Sequence, residues 1–256
     1  MSGDASAPLR AAFFSDIHGN IRGLDACLAD LAEQGGADVI VGVGDFCMDG
    51  PRPREVLERL QEIGARCVRG NTDRYIVQYE DDQQPADAHE FDEEGAALGW
   101  QRAQLGERWL QWLHDLPFSL RLGEGDEALL VVHANPRCDD VHIWPDADDV
   151  FLDRMLQGVA EKTIVFGHLH LPYVRLWRDR LLVNVASAGL PKDGDPRANY
   201  ALLTRRSGGW EVKQRRVAFD VEKVVRDIEK ARMPNARRCI KVLRRHRYKE
   251  LTVRIP

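Results

Sequence analysis

Three short apolar runs alternate with two stretches of helical periodicity in the first 70 residues, and this order leaves few architectures open. The runs are Ala-Ala-Phe-Phe at 11–14, Val-Ile-Val-Gly-Val at 39–43 and Ala-Arg-Cys-Val at 65–68. Between the first two, Leu24, Cys27, Leu28 and Leu31 recur at helical spacing. Asn20 is a suitable N-cap for that helix, and Gly35-Gly36 ends it. Between the second and third runs, Pro51 and Pro53 open a helix whose apolar face is Val56, Leu57, Leu60 and Ile63. Runs this short read as buried strands, so the pattern predicts an α/β fold with a parallel sheet. Open sheets of that kind gather functional groups beyond the carboxyl ends of their strands.

Further strands are expected at 128–132 and 163–166. Residues 181–185, 200–203 and 210–212 read as a run of antiparallel strands. A helical insert spans about 75–116. Its first part is acidic (Glu80, Asp81, Asp82, Asp87, Glu90, Asp92, Glu93, Glu94), and its second carries Leu98, Trp100, Leu105, Trp109, Leu110, Trp112 and Leu113. Such an insert either packs on the body or forms a lid that limits substrate size. Two more helices are expected near 221–232 and 235–247, separated by Met233-Pro234. The organisation predicted is one domain at 9–220 followed by a basic helical extension at 221–256.

At 256 residues and 44% hydrophobic, the chain can bury a sizeable core. Five scattered cysteines without a C-x-x-C pair argue against a disulfide framework or a thiolate zinc site and favour reduced thiols. Neither a signal peptide nor a bilayer-spanning apolar run is evident, so a soluble cytoplasmic protein is the expectation. The net charge of -5 hides an asymmetry: 12 Lys+Arg against 4 Asp+Glu at 221–256, and 24 against 37 at 1–220.

Each strand end carries polar residues of one chemical kind. The clusters are Asp16-Ile17-His18, Gly44-Asp45, Gly70-Asn71, His133 and Gly167-His168-Leu169-His170. Any one of them is common by chance; all five in order, each behind an apolar strand, are not. Two Asp, one Asn and four His supply seven oxygen and nitrogen ligands, enough for a pair of divalent cations. Mixed N/O ligands without sulfur suit Mn²⁺, Fe²⁺ or Zn²⁺, with Mn²⁺ favoured, over Ca²⁺. Residual positive charge lowers the pKa of a bound water, and two such cations clamp both the attacking and the leaving oxygen of a displacement at phosphorus.

The order and spacing of these motifs resemble the calcineurin-like metallophosphoesterase family. The likeness covers about residues 11–191 and is closest to small bacterial and archaeal members that begin Ser-Asp-Ile-His-Gly-Asn. The resemblance implies a two-layer β sandwich flanked by helices. It also implies Asp16, His18 and His170 on one metal, Asn71, His133 and His168 on the other, and Asp45 bridging both. Asp45, Asn71 and His133 are the implied catalytic centre, with a metal-bridging hydroxide as nucleophile. Many members carry a His after Gly-Asn that protonates the leaving oxygen, but Thr72 stands there in this chain. A threonine hydroxyl is too weak an acid for that step, which disfavours poor leaving groups by roughly 10²–10⁴-fold and tilts the expectation towards phosphodiesters.

Three neighbours are candidates for supporting roles. Asp73 would orient a ligand or cap the following helix, Asn20 would reach a substrate oxygen or serve as N-cap, and Arg74 would meet phosphate or lie on the surface. Cys47 reads as loop filler. The segment Asn184-Val185-Ala186-Ser187 resembles the family's Asn-Pro-Gly-Ser loop but lacks its Pro-Gly.

The basic tail (Arg237, Arg238, Lys241, Arg244, Arg245, Arg247, Lys249) suits nucleic acid phosphates, docking on an acidic surface, or plain solvation. No aromatic stripe accompanies it, and nucleic acid is not the favoured partner. The leading expectation is a two-metal phosphodiesterase acting on a nucleotide-like substrate. The alternatives are a phosphomonoesterase or dinucleotide polyphosphate hydrolase, a nuclease using the tail, and a non-catalytic scaffold on the same fold. Homo-oligomerisation is left open.

Overall fold

Chain geometry follows the apolar pattern closely at the start. In the computed structural model, which describes residues 10–79, 91–206 and 209–247, the three runs become β1 (Arg10–Phe14), β2 (Val39–Val43) and β3 (Arg66–Val68). They pair in parallel in the order β1-β2-β3. The crossover helices are α1 (Ile21–Glu33) and α2 (Pro53–Glu62). Asn20 caps α1, its Oδ1 accepting from Gly23 N at 3.1 Å, and Pro53 occupies the first turn of α2, where its missing N–H costs nothing.

The remaining strands are β4 (Ser119–Leu122), β5 (Leu129–Val132), β6 (Thr163–Phe166), β7 (Tyr173–Trp177), β8 (Arg180–Asn184), β9 (Ala198–Arg206) and β10 (Gly209–Val217). Two five-stranded mixed sheets result, ordered β10-β9-β1-β2-β3 and β4-β5-β6-β8-β7. Their facing sides form a dry interlayer of Ala11, Phe13, Val41 and Val43 against Leu129, Val131, Val165 and Val183. The alternate residues of β1, Ala12 and Phe14, point the other way into a cluster with Leu24, Leu57 and Leu60 of the helices. Both faces of β1 are covered, which is why its sequence is apolar without alternation.

The expected antiparallel run is only partly present. Strands β9 and β10 do pair antiparallel, but β8 lies in the second sheet, parallel to β6. What intervenes is β7, an edge strand hairpinned onto β8. Its Val174 and Leu176 are 45% and 72% exposed, so no buried apolar run announces it.

Helix α3 (Asn71–Gln78) follows β3 directly, and α4 (Phe91–His114) is interrupted at Gly106, whose φ of +69° is left-handed. Leu105, Trp109 and Leu113 of α4 are buried against Phe46 and the α2 side of the first sheet, so this half of the insert is core. The acidic residues Glu80, Asp81, Asp82, Asp87 and Glu90 lie outside the described residues. Helix α5 (Asp149–Leu156) covers the outer face of the second sheet through Leu152 and Leu156. Helices α6 (Val221–Ala231) and α7 (Ala236–Arg245) pack on one another and on Leu190. Tyr248 and Lys249 lie outside the described residues. Among those residues, no helix is long and apolar enough to cross a membrane.

Candidate metal centre

Parallel β1, β2 and β3 of one sheet and β5, β6 and β8 of the other bring their carboxyl ends to the same edge of the sandwich. Asp16 and His18 follow β1, Asp45 follows β2, Asn71 follows β3, His133 follows β5, and His168 and His170 follow β6. Residues up to 154 positions apart in sequence thereby converge, and all seven expected ligands are brought together. Two groups form, Asp16–His18–His170 and Asp45–His133–His168, the ligand atoms of each lying within 4.8 Å of one another.

Asp45 lies between the groups. Its Oδ1 is 3.4 Å from His133 Nε2, while its Oδ2 is 3.9 Å from His18 Nε2. Asn71 joins the second group, its Oδ1 3.1 Å from His133 Nε2. In the first group, His170 Nε2 lies 3.0 Å from Asp16 Oδ1 and 3.2 Å from His18 Nε2, so donor atoms face a common point. Asp16 Oδ1 and His168 Nε2 are buried without a hydrogen-bond partner. Orphaned acceptors of this kind cost free energy unless a ligand satisfies them, and a cation fits both.

Tautomers are fixed from behind. His133 Nδ1 donates to Val43 O at 2.7 Å, and His170 Nδ1 donates to Leu190 O, so Nε2 of each ring is turned towards the centre. Burial, reinforced by Lys192, holds His170 down to about 4, and burial also lowers His168. Both rings are then neutral at neutral pH, the form that ligates a metal. His133 behaves differently: burial opposes its charge, but Asp45 and Asp16 raise it to about 10. A cation would take the place of that proton. Burial works against charge on Asp16 and Asp45 too, yet the neighbouring histidines hold both well below the usual carboxylate range.

Five of the seven residues, Asp16, His18, Asp45, His168 and His170, have left-handed backbones with φ between +49° and +63°. For residues with a Cβ this conformation costs about 1–2 kcal/mol each. Strain gathered at one place in this way is a mark of a functional site. It is sustained by lacing between the loops. Asp16 N donates to Gly44 O, His18 N to Asp45 O, Gly167 N to His133 O and Gly189 N to Asp16 O, all at 2.8–3.1 Å. Glycines allow the close approach: a Cβ on Gly70 would lie 2.1 Å from Asp45 Oδ1, and one on Gly167 would lie 1.9 Å from Ser15 Oγ.

Asp73 ties two of these loops together. Its Oδ2 accepts from Asp45 N at 2.9 Å and Gly70 N at 3.0 Å, while its Oδ1 accepts from Phe46 N at 3.0 Å. It caps α3 and positions Asp45 at once. Asn20 and Arg74 have other occupations. The Asn20 amide donates to Gly189 O at 2.7 Å while its oxygen caps α1. Arg74 makes a two-point ion pair with Asp139 at 2.7 and 2.8 Å, joining α3 to the loop after His133. Thr72 N donates to Asp45 Oδ1 at 2.9 Å, and its hydroxyl oxygen is buried without a partner. Cys47 is fully buried. Ala186 takes a φ of +60° in the loop after β8, where Asn184 Nδ2 donates to Gly167 O.

Three further neighbours are not among the candidate residues read from the sequence. Ser15 Oγ donates to Asp16 Oδ2 at 2.6 Å, and Ser187 Oγ donates to Asp16 O at 2.6 Å. The His142 ring lies 4.2 Å from that of His168. Ser15 adjoins the first motif and Ser187 ends the 184–187 segment, so both could have been found early; His142 could not.

Comparison with known proteins bears on the family and the fold. The calcineurin-like phosphoesterase superfamily domain matches residues 9–208. The chain is similar to the uncharacterized protein MJ0912 of Methanocaldococcus jannaschii, with 28% identity over 242 residues, covering 87% of this chain and 93% of that one. It is 29% identical over 205 residues to phosphodiesterase YfcE of Escherichia coli K12, covering 76% and 87% of the two chains. Among solved structures, hypothetical protein PH1004 from Pyrococcus horikoshii OT3 superposes with a TM-score of 0.78 at 23% identity, covering 91% of this chain and 97% of that one. A metallophosphoesterase from Sphaerobacter thermophilus superposes at 0.73 and 24%, covering 93% and 99%.

Proposed function

Because this chain belongs to the calcineurin-like phosphoesterase superfamily, we propose that it is a metal-dependent phosphodiesterase working at the centre formed by its two His/Asp groups. The observation that carries the reading is the position of Asp45, within 3.9 Å of donors in both groups. Asp16, His18 and His170 would hold one divalent cation and Asn71, His133 and His168 the other, with Asp45 shared. Two bound cations would supply concentrated positive charge for phosphoryl oxygens and acidify a water. The chain's own contribution is preorganisation: imidazole tautomers fixed from behind, a carboxylate positioned by Asp73, and loops laced by backbone hydrogen bonds. Mn²⁺ is the favoured ion on the N/O donor set.

Thr72 supports the choice of diester over monoester. Its hydroxyl cannot donate a proton to a poor leaving group at neutral pH, so substrates with a more acidic leaving group are favoured. Mn²⁺-loaded protein should hydrolyse bis(p-nitrophenyl) phosphate with a kcat/KM at least about tenfold above that for p-nitrophenyl phosphate. A monoester preference would keep the metal centre but contradict the phosphodiesterase reading.

A further inference from the structure

The loop between β5 and α5, residues 133–148, begins with the ligand His133 and returns to the centre nine positions later. There the His142 ring lies 4.2 Å from the ring of His168, the two planes 34° apart. His142 belongs to neither ligand group. The first group has a comparable stack, but between two of its own ligands, His18 and His170, at 5.0 Å and 29°. Within the second group, His133 meets His168 at a steep 64°, edge to face. The near-parallel partner of His168 is therefore supplied from outside the ligand set.

That partner is held on both sides. Val141 O accepts from Asn135 Nδ2 at 2.8 Å, and Ile143 O accepts from the Tyr173 hydroxyl at 2.6 Å. Asn135 Oδ1 accepts in turn from Arg137 N at 2.7 Å and Cys138 N at 3.0 Å, which closes the turn before His142. Between these points Asp139 takes the two-point pair with Arg74 of α3, the helix that begins at the ligand Asn71. Ile143 is buried in the cluster under α5, and Trp144 meets the His142 ring at 5.5 Å and 80°. The peptides flanking one ring are thus ordered by the fold itself, before any ion arrives. His168 has a use for such support. Its backbone is left-handed at φ +63°, and its Nε2 is buried without a hydrogen-bond partner, so no hydrogen bond at that nitrogen orients the ring.

We propose that His142 is a positioning residue of the second ligand group: stacked on His168, it holds that ring in its ligating orientation and so sets the affinity of one of the two cations. The proposal rests on the metal-centre reading above and adds to it a residue outside the seven ligands. Groups that orient a ligating imidazole from behind change metal affinity by about 10–100-fold when removed. Here the orienting contact is a ring face, not a hydrogen bond, so its requirement is a flat side chain at position 142. A nitrogen at that position is not needed for it. The Arg74–Asp139 pair and the Asn135 turn carry the loop that delivers the ring, which connects His133, His168 and Asn71 through one braced segment.

The test is calorimetric titration of the chelator-stripped full-length protein with Mn²⁺. Wild type should take up two ions. His142→Ala should weaken one of them by about 10–100-fold and leave the other nearly unchanged. His142→Phe, which keeps a flat ring, should return that affinity to within about threefold of wild type. On a His168→Ala background, His142→Ala should change Mn²⁺ binding no further, because its effect passes through the missing ring. Should His142→Ala fail to fold, His142→Leu fills the space without a flat ring and serves in its place. Equal affinities in wild type and His142→Ala would overturn the proposal. So would His142→Phe binding as weakly as His142→Ala, since a nitrogen and not a ring face would then matter. An equal loss with and without His168 would overturn it too, because the effect would not pass through that ligand. Fewer than two ions in the wild type would remove the binuclear centre itself. Two ions in the wild type, with no effect of substitution at 142, would remove the role of His142 alone.

Discussion

Asp45→Asn is expected to reduce phosphodiester hydrolysis by at least about 10³-fold while the metal-free protein stays folded. The carboxylate faces both ligand groups, with Oδ1 3.4 Å from His133 Nε2 and Oδ2 3.9 Å from His18 Nε2. An amide has similar size, and its oxygen can still accept from Thr72 N, so the local backbone keeps its partner. What disappears is the negative charge that offsets repulsion between two cations. Metal-ion chemistry at a centre of this kind supplies several kcal/mol, and each 1.36 kcal/mol lost is a factor of ten in rate. Thermal melting gives an independent readout. Mn²⁺ at 100 times its dissociation constant should stabilise the wild type by about 2.7 kcal/mol, and the variant by much less at the same concentration. Equal stabilisation with abolished turnover would mean that Asp45 acts on the substrate and not through the ions.

Asp73→Ala should cost about 3 kcal/mol of stability in the metal-free protein, measured by urea unfolding. The substitution strips acceptors from four buried N–H groups, those of Asp45, Phe46, Cys47 and Gly70, the Cys47 bond being the longest at 3.4 Å. An unsatisfied buried donor costs about 1–3 kcal/mol, part of which is returned because a buried carboxylate is removed as well. Asp73→Asn keeps one acceptor oxygen and should fall between. A pH dependence distinguishes them further. Burial, and then the charge of Asp45, raise the Asp73 carboxyl from 3.8 to about 6. The folded state therefore holds this proton more tightly than the unfolded chain. Stability from this group is fully present below 3.8 and is lost as pH rises through about 6. Relative to Asp73→Asn, which does not titrate, the metal-free wild type should weaken over that interval. A flat difference would place the carboxyl's ionisation elsewhere.

Much of the site was legible because its signals are local. Asp16, Asp45 and Asn71 each end an apolar strand, and parallel order alone predicts that strand ends meet. His133, His168 and His170 required only that two more such strands exist. The division into two sheets was much less legible. Strand β8 looks like a neighbour of β9 in sequence, yet it pairs with β6, because β7 is a short half-exposed edge strand without an apolar run. Asp73 and Arg74 show a different limit. Their residue types allow a cap, a substrate contact or a strut. The choice depends on long-range partners: the Asp45 backbone 28 positions away for one, Asp139 65 positions away for the other. The left-handed φ of Asp16, His18, Asp45, His168 and His170 had no sequence signal at all, since glycine is the residue that ordinarily marks it. These are sites where local preference is overruled by the geometry the ligands require.

The most direct test of the centre is its cation count. Protein stripped with chelator, reloaded with Mn²⁺ and freed of excess ion should carry two Mn²⁺ per chain by elemental analysis, and His168→Ala should carry fewer. Two ions in the wild type would match the pair of ligand groups that meet at Asp45. One ion or none per chain, with the protein folded, would contradict a binuclear centre.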